Sequence, residues 1–375
     1  MGNKKIRIAN IVGTRPNYIK IAPLFKKMKC INKFEPLLIH TGQHYDAEMS
    51  GIFFKDLELH TPDIYLGIGS GTQAGQTAKV MIALEEVFIH KRPDLVLVVG
   101  DVNSTLASAI VSAKLHIPLA HVEAGLRSFD RIMPEEINRI VTDTLSDYLF
   151  TTCIDANRNL YKEGIPKSKV FFVGNIMIDT LMLFKQKAAN LNVAESKFTL
   201  RPQQYALLTL HRPENVDGNL SLEKILRALE TISKNISIIF PAHPRTRKQI
   251  ELFGLKKYFS NSNIRLVEPL GYLEFFNLML NAKFVLTDSG GIQEETTVLG
   301  IPCLTLRRNT ERPITITRGT NTLVGIESDR IIQEARRIIR GRYKKGKAIE
   351  LWDGKTSERI VKILYERLTS SKKAK

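Results

Sequence analysis

A strand, a glycine-rich turn and a helix start follow one another near residue 290, and together they can bind an anion. Residues 284–286 predict a strand, Ser289-Gly290-Gly291 predicts a tight turn, and residues 292–299 have helical spacing. The free backbone N–H groups and the positive dipole end of such a helix attract a phosphate. Glu295 lies about one helical turn further on, where its carboxylate can accept two hydrogen bonds from a ribose diol. An ordinary turn with a capping serine is the alternative explanation.

Three carboxylates are predicted at the edge of a second sheet. Asp101 follows the apolar strand 95–99, and Glu123 follows the strand predicted at 118–122. Glu135 lies in the first turn of the next predicted helix. Clustered carboxylates can exchange protons with a substrate, because they raise one another's pKa and keep one group protonated. The alternative is structural: Asp101 can cap a helix, and Glu135 is favourable near a helix dipole.

Basic residues follow other predicted strands. Arg15 and Lys20 lie at the turn after the first strand, and His211 and Arg212 follow the first strand of the second half. Ligands of open α/β sheets gather at the carboxyl ends of the strands, so we expect these side chains near a ligand. The alternatives are a helix-end charge for Arg15 and a structural role for His211. No G-x-G-x-x-G pattern follows the first strand, which argues against a bound dinucleotide.

Two α/β halves are needed to position these residues. Strands are predicted at residues 6–12, 36–40, 95–99, 118–122, 148–151 and 170–173, and then at 206–210, 236–240, 264–267, 284–286 and 302–306. Helices are predicted at 76–89 and 272–280, among others. A chain of 375 residues is too long for one compact core, and the alternation of strands and helices predicts a parallel sheet in each half.

The composition is that of a globular protein. Hydrophobic residues make up 43% and charged residues 25%. No apolar run approaches the length of a membrane span and no signal sequence is evident, so we expect a cytoplasmic protein with no membrane partner. Cys30, Cys153 and Cys303 are widely spaced, match no metal pattern and suit a reducing compartment. The net charge of +17 is compatible with nucleic acid or acidic substrates. Since no binding signature combines the basic residues with aromatics, we expect no nucleic-acid partner.

Short motifs occur in one order over nearly the whole chain. They are Gly13-Thr14-Arg15-Pro16, His40-Thr41-Gly42-Gln43-His44, Gly100-Asp101, His121-Val122-Glu123-Ala124-Gly125-Leu126-Arg127, Pro134-Glu135-Glu136-x-Asn138-Arg139, His211-Arg212, Asp288 to Glu295 and Thr310-Glu311-Arg312-Pro313. This set resembles the non-hydrolysing UDP-N-acetylglucosamine 2-epimerases. The resemblance implies an α/β protein of GT-B architecture, with two Rossmann-like domains and an active-site cleft between them. The expected domains are residues 1–173, on which a C-terminal helix at about 359–375 packs back, and a UDP-binding domain of residues 174–358.

The resemblance also implies roles for the candidate residues. The acid–base carboxylates would be Asp101, Glu123 and Glu135, and His211 would face the leaving phosphate. The UDP diphosphate and ribose would contact Ser289, Gly290, Gly291 and Glu295, with Arg15, Lys20 and Arg312 near the phosphates. A second, regulatory UDP-N-acetylglucosamine site would include Gln43, His44, Glu136, Arg212 and His243. No cofactor and no metal are implied, and a homodimer serving cell-surface polysaccharide synthesis is expected.

The implied reaction is the reversible epimerisation of UDP-N-acetylglucosamine to UDP-N-acetylmannosamine at carbon 2. Its hydrogen has no neighbouring carbonyl and is barely acidic, so we expect UDP to leave as a carboxylate removes the proton. A 2-acetamidoglucal would then be protonated on its other face and UDP re-added. The chain departs from the common family pattern at Asn17-Tyr18 and Val102-Asn103. An epimerase of a UDP-2,3-diacetamido sugar, a GT-B glycosyltransferase, a hydrolysing relative and a basic nucleic-acid-binding module are the alternatives.

Overall fold

The computed structural model describes residues 5–43, 61–260 and 262–371, and for residues 15 and 371 it describes the backbone alone. His44, one of the predicted site residues, lies outside these ranges. The chain divides into two compact units. Unit 1 consists of Met1–Leu183 and Glu350–Lys375, and unit 2 consists of Phe184–Ile349.

Unit 1 is built on a parallel sheet. Its strands are β1 (Ile6–Val12), β2 (Phe34–His40), β3 (Ile64–Tyr65), β4 (Leu95–Val99), β5 (Leu119–Ala124), β6 (Tyr148–Thr151) and β7 (Val170–Phe172). Their order across the sheet is β3-β2-β1-β4-β5-β6-β7. The connecting helices are α1 (Arg15–Lys29), α2 (Gln73–Lys91), α3 (Asn103–Lys114), α4 (Pro134–Leu145), α5 (Ile154–Lys162) and α6 (Ile176–Ala189). Each residue of β4 is apolar and buried, as expected for a central strand with helices on both faces.

Unit 2 repeats the arrangement. Its strands are β8 (Tyr205–Thr209), β9 (Ser237–Pro241), β10 (Ile264–Val267), β11 (Phe284–Thr287), β12 (Cys303–Thr305) and β13 (Asn321–Leu323), in the order β10-β9-β8-β11-β12-β13. Its helices are α7 (Val193–Phe198), α8 (Pro213–Val216), α9 (Asn219–Ser233), α10 (Pro244–Leu252), α11 (Lys257–Ser260), α12 (Tyr272–Asn281), α13 (Gly290–Leu299), α14 (Pro313–Thr317) and α15 (Ser328–Ile339). Strands β8, β9 and β11 and helix α9 supply much of its buried apolar core.

The last helix, α16 (Thr356–Ser371), belongs to unit 1 and packs against α1. Polar contacts fix the segment that leads into it. The indole N–H of Trp352 donates a 2.9 Å hydrogen bond to the backbone oxygen of Thr152. The buried carboxylate of Asp179 accepts a 3.0 Å hydrogen bond from the backbone N–H of Thr356, at the start of the helix. Unit 1 is therefore assembled from two distant segments of the chain.

The predicted α/β class with two parallel, Rossmann-like sheets is confirmed, while some element boundaries differ from the prediction. Helix α2 begins at Gln73 rather than Gln76, because the hydroxyl of Thr72 accepts a hydrogen bond from the N–H of Gly75 and caps an earlier turn. The edge strands β3 and β13 were not predicted, since each is only two or three residues long and lacks an apolar run. None of the helices in the described ranges is long and apolar enough to cross a bilayer.

Candidate functional site

The strand order reverses at one place in each sheet. In unit 1 this place lies between β1 and β4, and in unit 2 it lies between β8 and β11. Open α/β sheets bind ligands outside the carboxyl ends of the strands at such a switch point. The predicted residues Asp101 and His211 lie two residues beyond the ends of two of these strands, and Ser289 lies two residues beyond a third. The topology therefore puts Asp101, His211 and Ser289 at the sheet edges where open α/β folds generally bind ligands.

Glu123 is held at a strained position in unit 1. Its φ of +74° is in the left-handed region, and the pairing of β5 with β6 shifts register there. Its Oε2 is ion-paired with the buried ammonium of Lys20, whereas its Oε1 has no hydrogen-bond partner among the described residues. Such strain is often found at functional sites, and a buried oxygen without a partner is expensive unless a ligand meets it. Lys20, predicted to lie near the phosphates, is thus committed to Glu123 in this structure.

Asp101 lies at the end of β4 and is joined to α4 by a buried arginine. Nη1 of Arg139 forms an ion pair with the Asp101 carboxylate, which is 28% exposed. Nη2 and Nε of the same side chain donate to Oε2 of Glu136 at 2.6 and 3.1 Å. Nδ2 of Asn138 also donates to the backbone oxygen of Asp101 at 2.8 Å. Asp101 is therefore oriented by α4 but remains partly open to a substrate.

Neighbouring glutamates on α4 have different environments. Glu136 is 1% exposed and accepts 2.9 Å hydrogen bonds from the backbone N–H groups of Ser128 and Phe129. Burial alone would raise the pKa of Glu136, but these bonds and Arg139 lower it. Glu135 lies in the same first turn with its side chain partly exposed. Glu136 thus holds the preceding loop, and Glu135 is the more accessible carboxylate.

Asn17 fixes the turn after β1. Its Oδ1 accepts hydrogen bonds from the backbone N–H groups of Gly13 at 3.2 Å and Thr14 at 3.0 Å. Its Nδ2 donates to the backbone oxygen of Val99 at 2.8 Å, at the end of β4. A carboxylate could not make this last bond, because it has no donor. This departure from the family pattern therefore ties together the two strands of the switch point in unit 1, where the backbone of Arg15 begins α1.

His40 is enclosed by aromatic rings. It stacks on Tyr18 with a centroid distance of 5.1 Å and on Tyr65 with one of 5.0 Å. Its Nδ1 accepts a 2.9 Å hydrogen bond from the backbone N–H of Gly42. Burial lowers the pKa of His40 to about 4. The imidazole is therefore neutral at pH 7 and has a structural role beside the loop that follows β2.

The residues assigned by resemblance to a regulatory site are divided between the two units. Oε1 of Gln43 in unit 1 accepts hydrogen bonds from the backbone N–H of Ser104 at 3.1 Å and from its hydroxyl at 2.7 Å. His243 in unit 2 precedes α10, and its Nδ1 accepts a 3.2 Å hydrogen bond from the N–H of Arg245. These observed contacts explain the positions of both side chains within their own units.

Asp288 contacts several groups at the switch point in unit 2. Its fully buried carboxylate lies 2.8 Å from Nδ1 of His211. It also accepts hydrogen bonds from the backbone N–H of His211 at 3.0 Å, the N–H of Arg212 at 2.9 Å and Nδ2 of Asn215 at 3.1 Å. Burial alone would raise the pKa of Asp288, but the attraction of His211 and these hydrogen bonds lower it to about 2. An ionised carboxylate therefore orients the His211 ring.

The predicted anion-binding turn is present at the start of α13. The side chain of Ser289 makes no capping hydrogen bond, and the first turn of the helix contains no acidic residue. The backbone N–H groups of Gly290 and Gly291 are thus available to an anion, with the helix dipole directed toward it. Gln293 stabilises the turn, since it donates to the backbone oxygen of Ser289 at 3.2 Å and accepts from the hydroxyl of Thr310 at 2.8 Å.

Arg312 lies against this turn. A β-carbon at Gly290 would collide with Nη1 of Arg312 and lie 2.9 Å from Oε1 of Glu311, so any larger residue there would displace these two side chains. Nη1 of Arg312 is ion-paired with Glu311, and its Nε lies 2.8 Å from Oε1 of Glu294. Burial would raise the pKa of Glu311, but the surrounding arginines hold it well below the usual range. Glu295, the predicted ribose ligand, is buried on the same helix.

The sequence reasoning missed several of these supporting residues. Asp288 was included in the glycine-turn motif without a role, and Arg139 and Glu311 appeared only within motifs. The missing information was which strands are neighbours. Once β8 and β11 are known to pair through Thr209 and Thr287, an aspartate directly after Thr287 is expected beside His211.

The units therefore offer different chemistry. Unit 1 supplies carboxylates that can take up or release a proton, one of them paired with an ammonium. Unit 2 supplies backbone N–H groups, guanidinium groups and a histidine, which can stabilise a phosphate and its developing charge. In the part of the chain that the structure describes, no group of three or more His, Cys, Asp or Glu side chains is arranged to hold a metal ion.

Comparisons with known proteins identify the family. The profile of the family described as UDP-N-acetylglucosamine 2-epimerase matches residues 26–365. The UDP-N-acetylglucosamine 2-epimerase of Methanocaldococcus jannaschii is 44% identical over 370 residues, which cover 96% of this chain and 99% of that protein. The UDP-2,3-diacetamido-2,3-dideoxy-D-glucuronate 2-epimerase of Pseudomonas aeruginosa is 42% identical over 335 residues, covering 88% of this chain and 92% of that protein.

A similar fold has been solved with ligands. The crystal structure of the Methanocaldococcus jannaschii UDP-GlcNAc 2-epimerase in complex with UDP-GlcNAc and UDP matches with a TM-score of 0.89 and 44% identity. The match covers 96% of this chain and 100% of that one. Family profile, sequence and fold therefore agree over almost the whole chain, which belongs to the UDP-N-acetylglucosamine 2-epimerase family.

Proposed function

We propose that this protein converts UDP-N-acetylglucosamine and UDP-N-acetylmannosamine into one another by removing UDP and adding it back. The observation that carries the proposal is that this chain, a member of the family, has acid–base groups in one unit and an anion-binding turn in the other. One unit has carboxylates at its switch point, and the other has an uncapped helix N-terminus with arginines beside it. Carboxylates suit transfer of the carbon 2 proton, and the cationic turn suits a departing diphosphate.

In the first half-reaction, a carboxylate takes the proton from carbon 2. The electrons of that C–H bond form the carbon 1–carbon 2 double bond, and UDP leaves with the electrons of its bond to carbon 1. The backbone N–H groups at Gly290 and Gly291, with Arg312 beside them, would stabilise the charge on the diphosphate. His211, oriented by Asp288, would donate to the leaving phosphate.

In the second half-reaction, an acid protonates carbon 2 of the 2-acetamidoglucal on the opposite face, and UDP adds again to carbon 1. A proton removed from one face and returned to the other requires two acid–base groups. We assign these roles within the set Asp101, Glu123 and Glu135. Support comes from the unpartnered Oε1 of Glu123 and the partial exposure of Asp101 and Glu135.

A second candidate is epimerisation of a UDP-2,3-diacetamido uronate. The Pseudomonas aeruginosa relative, 42% identical, is named for that activity, so this substrate is supported by a specific comparison. The reaction at carbon 2 would be the same for both sugars. They differ at carbon 3 and at the carboxylate of the uronate, so assays with both UDP-sugars separate the two candidates.

The test is to incubate the protein with each UDP-sugar alone in heavy water and to follow it by proton NMR. The proposal predicts the carbon 2 epimer, with deuterium at carbon 2 of the product. A glycosyltransferase would form no epimer and would leave the UDP-sugar unchanged without an acceptor to receive the sugar. A hydrolysing relative would release free N-acetylmannosamine. An epimer that retains its original hydrogen at carbon 2 would contradict the elimination mechanism.

The same resemblance supports a cytoplasmic homodimer that supplies a sugar nucleotide for a cell-surface polysaccharide. Light scattering would report the mass in solution directly. Initial rates measured over a range of UDP-N-acetylglucosamine concentrations would show whether a regulatory site responds to it, because activation by a second bound molecule would make the rate curve sigmoidal.

A further inference from the structure

Unit 2 contains a buried charge cluster in which three guanidinium groups share two carboxylates. We call it the arginine cluster, and its members are Arg212, Arg307, Arg312, Glu294 and Glu311. Oε2 of Glu311 lies 2.8 Å from Nη2 of Arg307, and Oε1 lies 3.5 Å from Nη2 of Arg212. With the ion pairs of Arg312, described above, the cluster has a surplus of one positive charge.

Arg307 is the arginine of the cluster that neither the sequence nor the resemblance assigned to the site. It lies two residues beyond β12, and the pairing of Thr305 with Thr287 puts it at the same sheet edge as Ser289. Its side chain is 5% exposed. Neither Nη1 nor Nη2 makes a hydrogen bond to another described residue, although Nη2 is ion-paired with Glu311. Burying a guanidinium with so few partners is unfavourable, so a compensating gain is expected.

Glu311 separates Arg307 from the anion-binding turn. Arg307 contacts Oε2 of Glu311, while Arg312 and Arg212 contact Oε1, the atom that faces Gly290. Burial lowers the pKa of Arg307 and Glu311 raises it, and a guanidinium keeps its proton at neutral pH. Arg307 therefore acts on the turn through Glu311.

We infer that Arg307 is a positioning residue for the diphosphate site. It balances the charge of Glu311, so that Glu311 can hold Arg212 and Arg312 in place without neutralising them. Removing the charge of Arg307 would leave two guanidinium groups against two carboxylates, and the cluster would be neutral. This inference rests on the proposed function, since it needs a nucleoside diphosphate at the turn.

The experiment compares binding of UDP and uridine, which differ only in the diphosphate. In Arg307→Gln, we expect the UDP dissociation constant to rise about tenfold, because an anion in a low-dielectric site loses one nearby positive charge. The constant for uridine should change by less than about twofold, since uridine carries no charge there. Calorimetry gives the dissociation constant of UDP, and competition in ligand-observed NMR gives that of uridine.

The neighbouring Arg308 supplies a matched control. It has the same charge but is exposed, so Arg308→Gln should leave both constants unchanged. Arg307→Lys keeps the charge and should restore most of the preference for UDP. A purely structural role for Arg307 would lower the melting temperature or weaken UDP and uridine equally. An unchanged ratio of UDP to uridine affinity in folded Arg307→Gln would overturn the inference.

The double variant Arg307→Gln/Glu311→Gln restores the surplus of one positive charge. Since a glutamine at position 311 keeps a side-chain oxygen that can accept from Arg212 and Arg312, this variant should recover the preference for UDP, and it carries the test if Arg307→Gln alone does not fold. A double variant that prefers UDP no more than Arg307→Gln does would contradict charge balance. If the wild-type protein itself bound UDP no better than uridine, the proposed function would fail instead, which is a separate outcome.

Discussion

Nδ1 of His211 and Oδ1 of Asp288 lie 2.8 Å apart at the ends of two neighbouring strands, β8 and β11. Asp288 is completely buried, whereas the His211 side chain is 48% exposed. The carboxylate thus orients the ring through Nδ1, and Nε2 is the ring nitrogen that Asp288 does not contact. The pair resembles in its logic the carboxylate that orients a catalytic imidazole in hydrolases.

The first prediction concerns acid stability. The pKa of Asp288 falls from 3.8 unfolded to about 2 folded, so its contribution is present above pH 3.8 and is lost as the pH falls toward 2. At 1.36 kcal/mol per pKa unit, this contribution is about 2 kcal/mol. The difference in unfolding free energy between wild type and Asp288→Asn should therefore shrink by most of that amount from pH 7 to pH 2.5, which is still slightly above the folded pKa. Urea denaturation at several pH values measures it.

The control for this measurement is Asp155→Asn. Asp155 is an exposed carboxylate that pairs with Arg158 at 3.2 Å, so its removal should have little effect at any pH. A difference between wild type and Asp288→Asn that stays constant from pH 7 to pH 2.5 would show that the carboxylate charge is not the stabilising element.

The second prediction concerns the buried pair Lys20 and Glu123, whose side chains are 8% and 2% exposed. Lys20→Met leaves a buried carboxylate without its cation and should destabilise the protein by about 3–5 kcal/mol. The double variant Lys20→Met/Glu123→Gln should be more stable than Lys20→Met alone, because it buries no unpaired charge. Denaturation of wild type, the two single variants Lys20→Met and Glu123→Gln, and the double variant gives the coupling energy. Additive effects of the two substitutions on the unfolding free energy would refute the pairing.

The third prediction concerns His40. The unfolded chain takes up a proton near pH 6.5 and the folded one only near pH 4, so stability is full above pH 6.5 and falls as the pH drops to 4. Protonation of Nδ1 would also break the hydrogen bond from Gly42. His40→Phe should remove this loss, which amounts to at most about 3 kcal/mol. Melting temperatures between pH 7.5 and 4.5 test it, with His90→Gln on the exposed face of α2 as the control.

The fourth prediction concerns catalysis. Asp101→Asn should lower turnover by about 10²–10⁴-fold, because an amide cannot exchange a proton with carbon 2. The fold should persist, since Arg139 keeps its two hydrogen bonds to Glu136. Steady-state rates and circular dichroism measure the two effects. Near-normal turnover in a folded variant would remove Asp101 from the acid–base set, and Asp155→Asn again serves as the surface control.

Much of the fold could be predicted from the sequence, because buried parallel strands such as Leu95–Val99 are continuous apolar runs. Short edge strands could not be predicted in this way. Ile64–Tyr65 and Asn321–Leu323 are defined by backbone pairing with a neighbour, and that pairing leaves no apolar pattern of useful length. Capping also shifted a boundary, as at Thr72 before α2.

For the site, sequence spacing identified side chains at strand ends but not their partners. The ion pairs of Glu123 with Lys20 and of Asp101 with Arg139 join residues 103 and 38 positions apart. Such contacts depend on which strands and helices are neighbours, so no local pattern reveals them. Asn17 shows the same limit: its bond to Val99 follows from the β1–β4 pairing and not from its place in the turn.

Because unit 1 comprises residues 1–183 together with 350–375, its final helix is made only after the whole of unit 2. During synthesis all of unit 2 must be made before Trp352 can reach Thr152 or the start of α16 can reach Asp179. The contiguous unit 2 is free to mature earlier. The nascent N-terminal half therefore stays without its final helix until unit 2 and the segment that follows it have been synthesised.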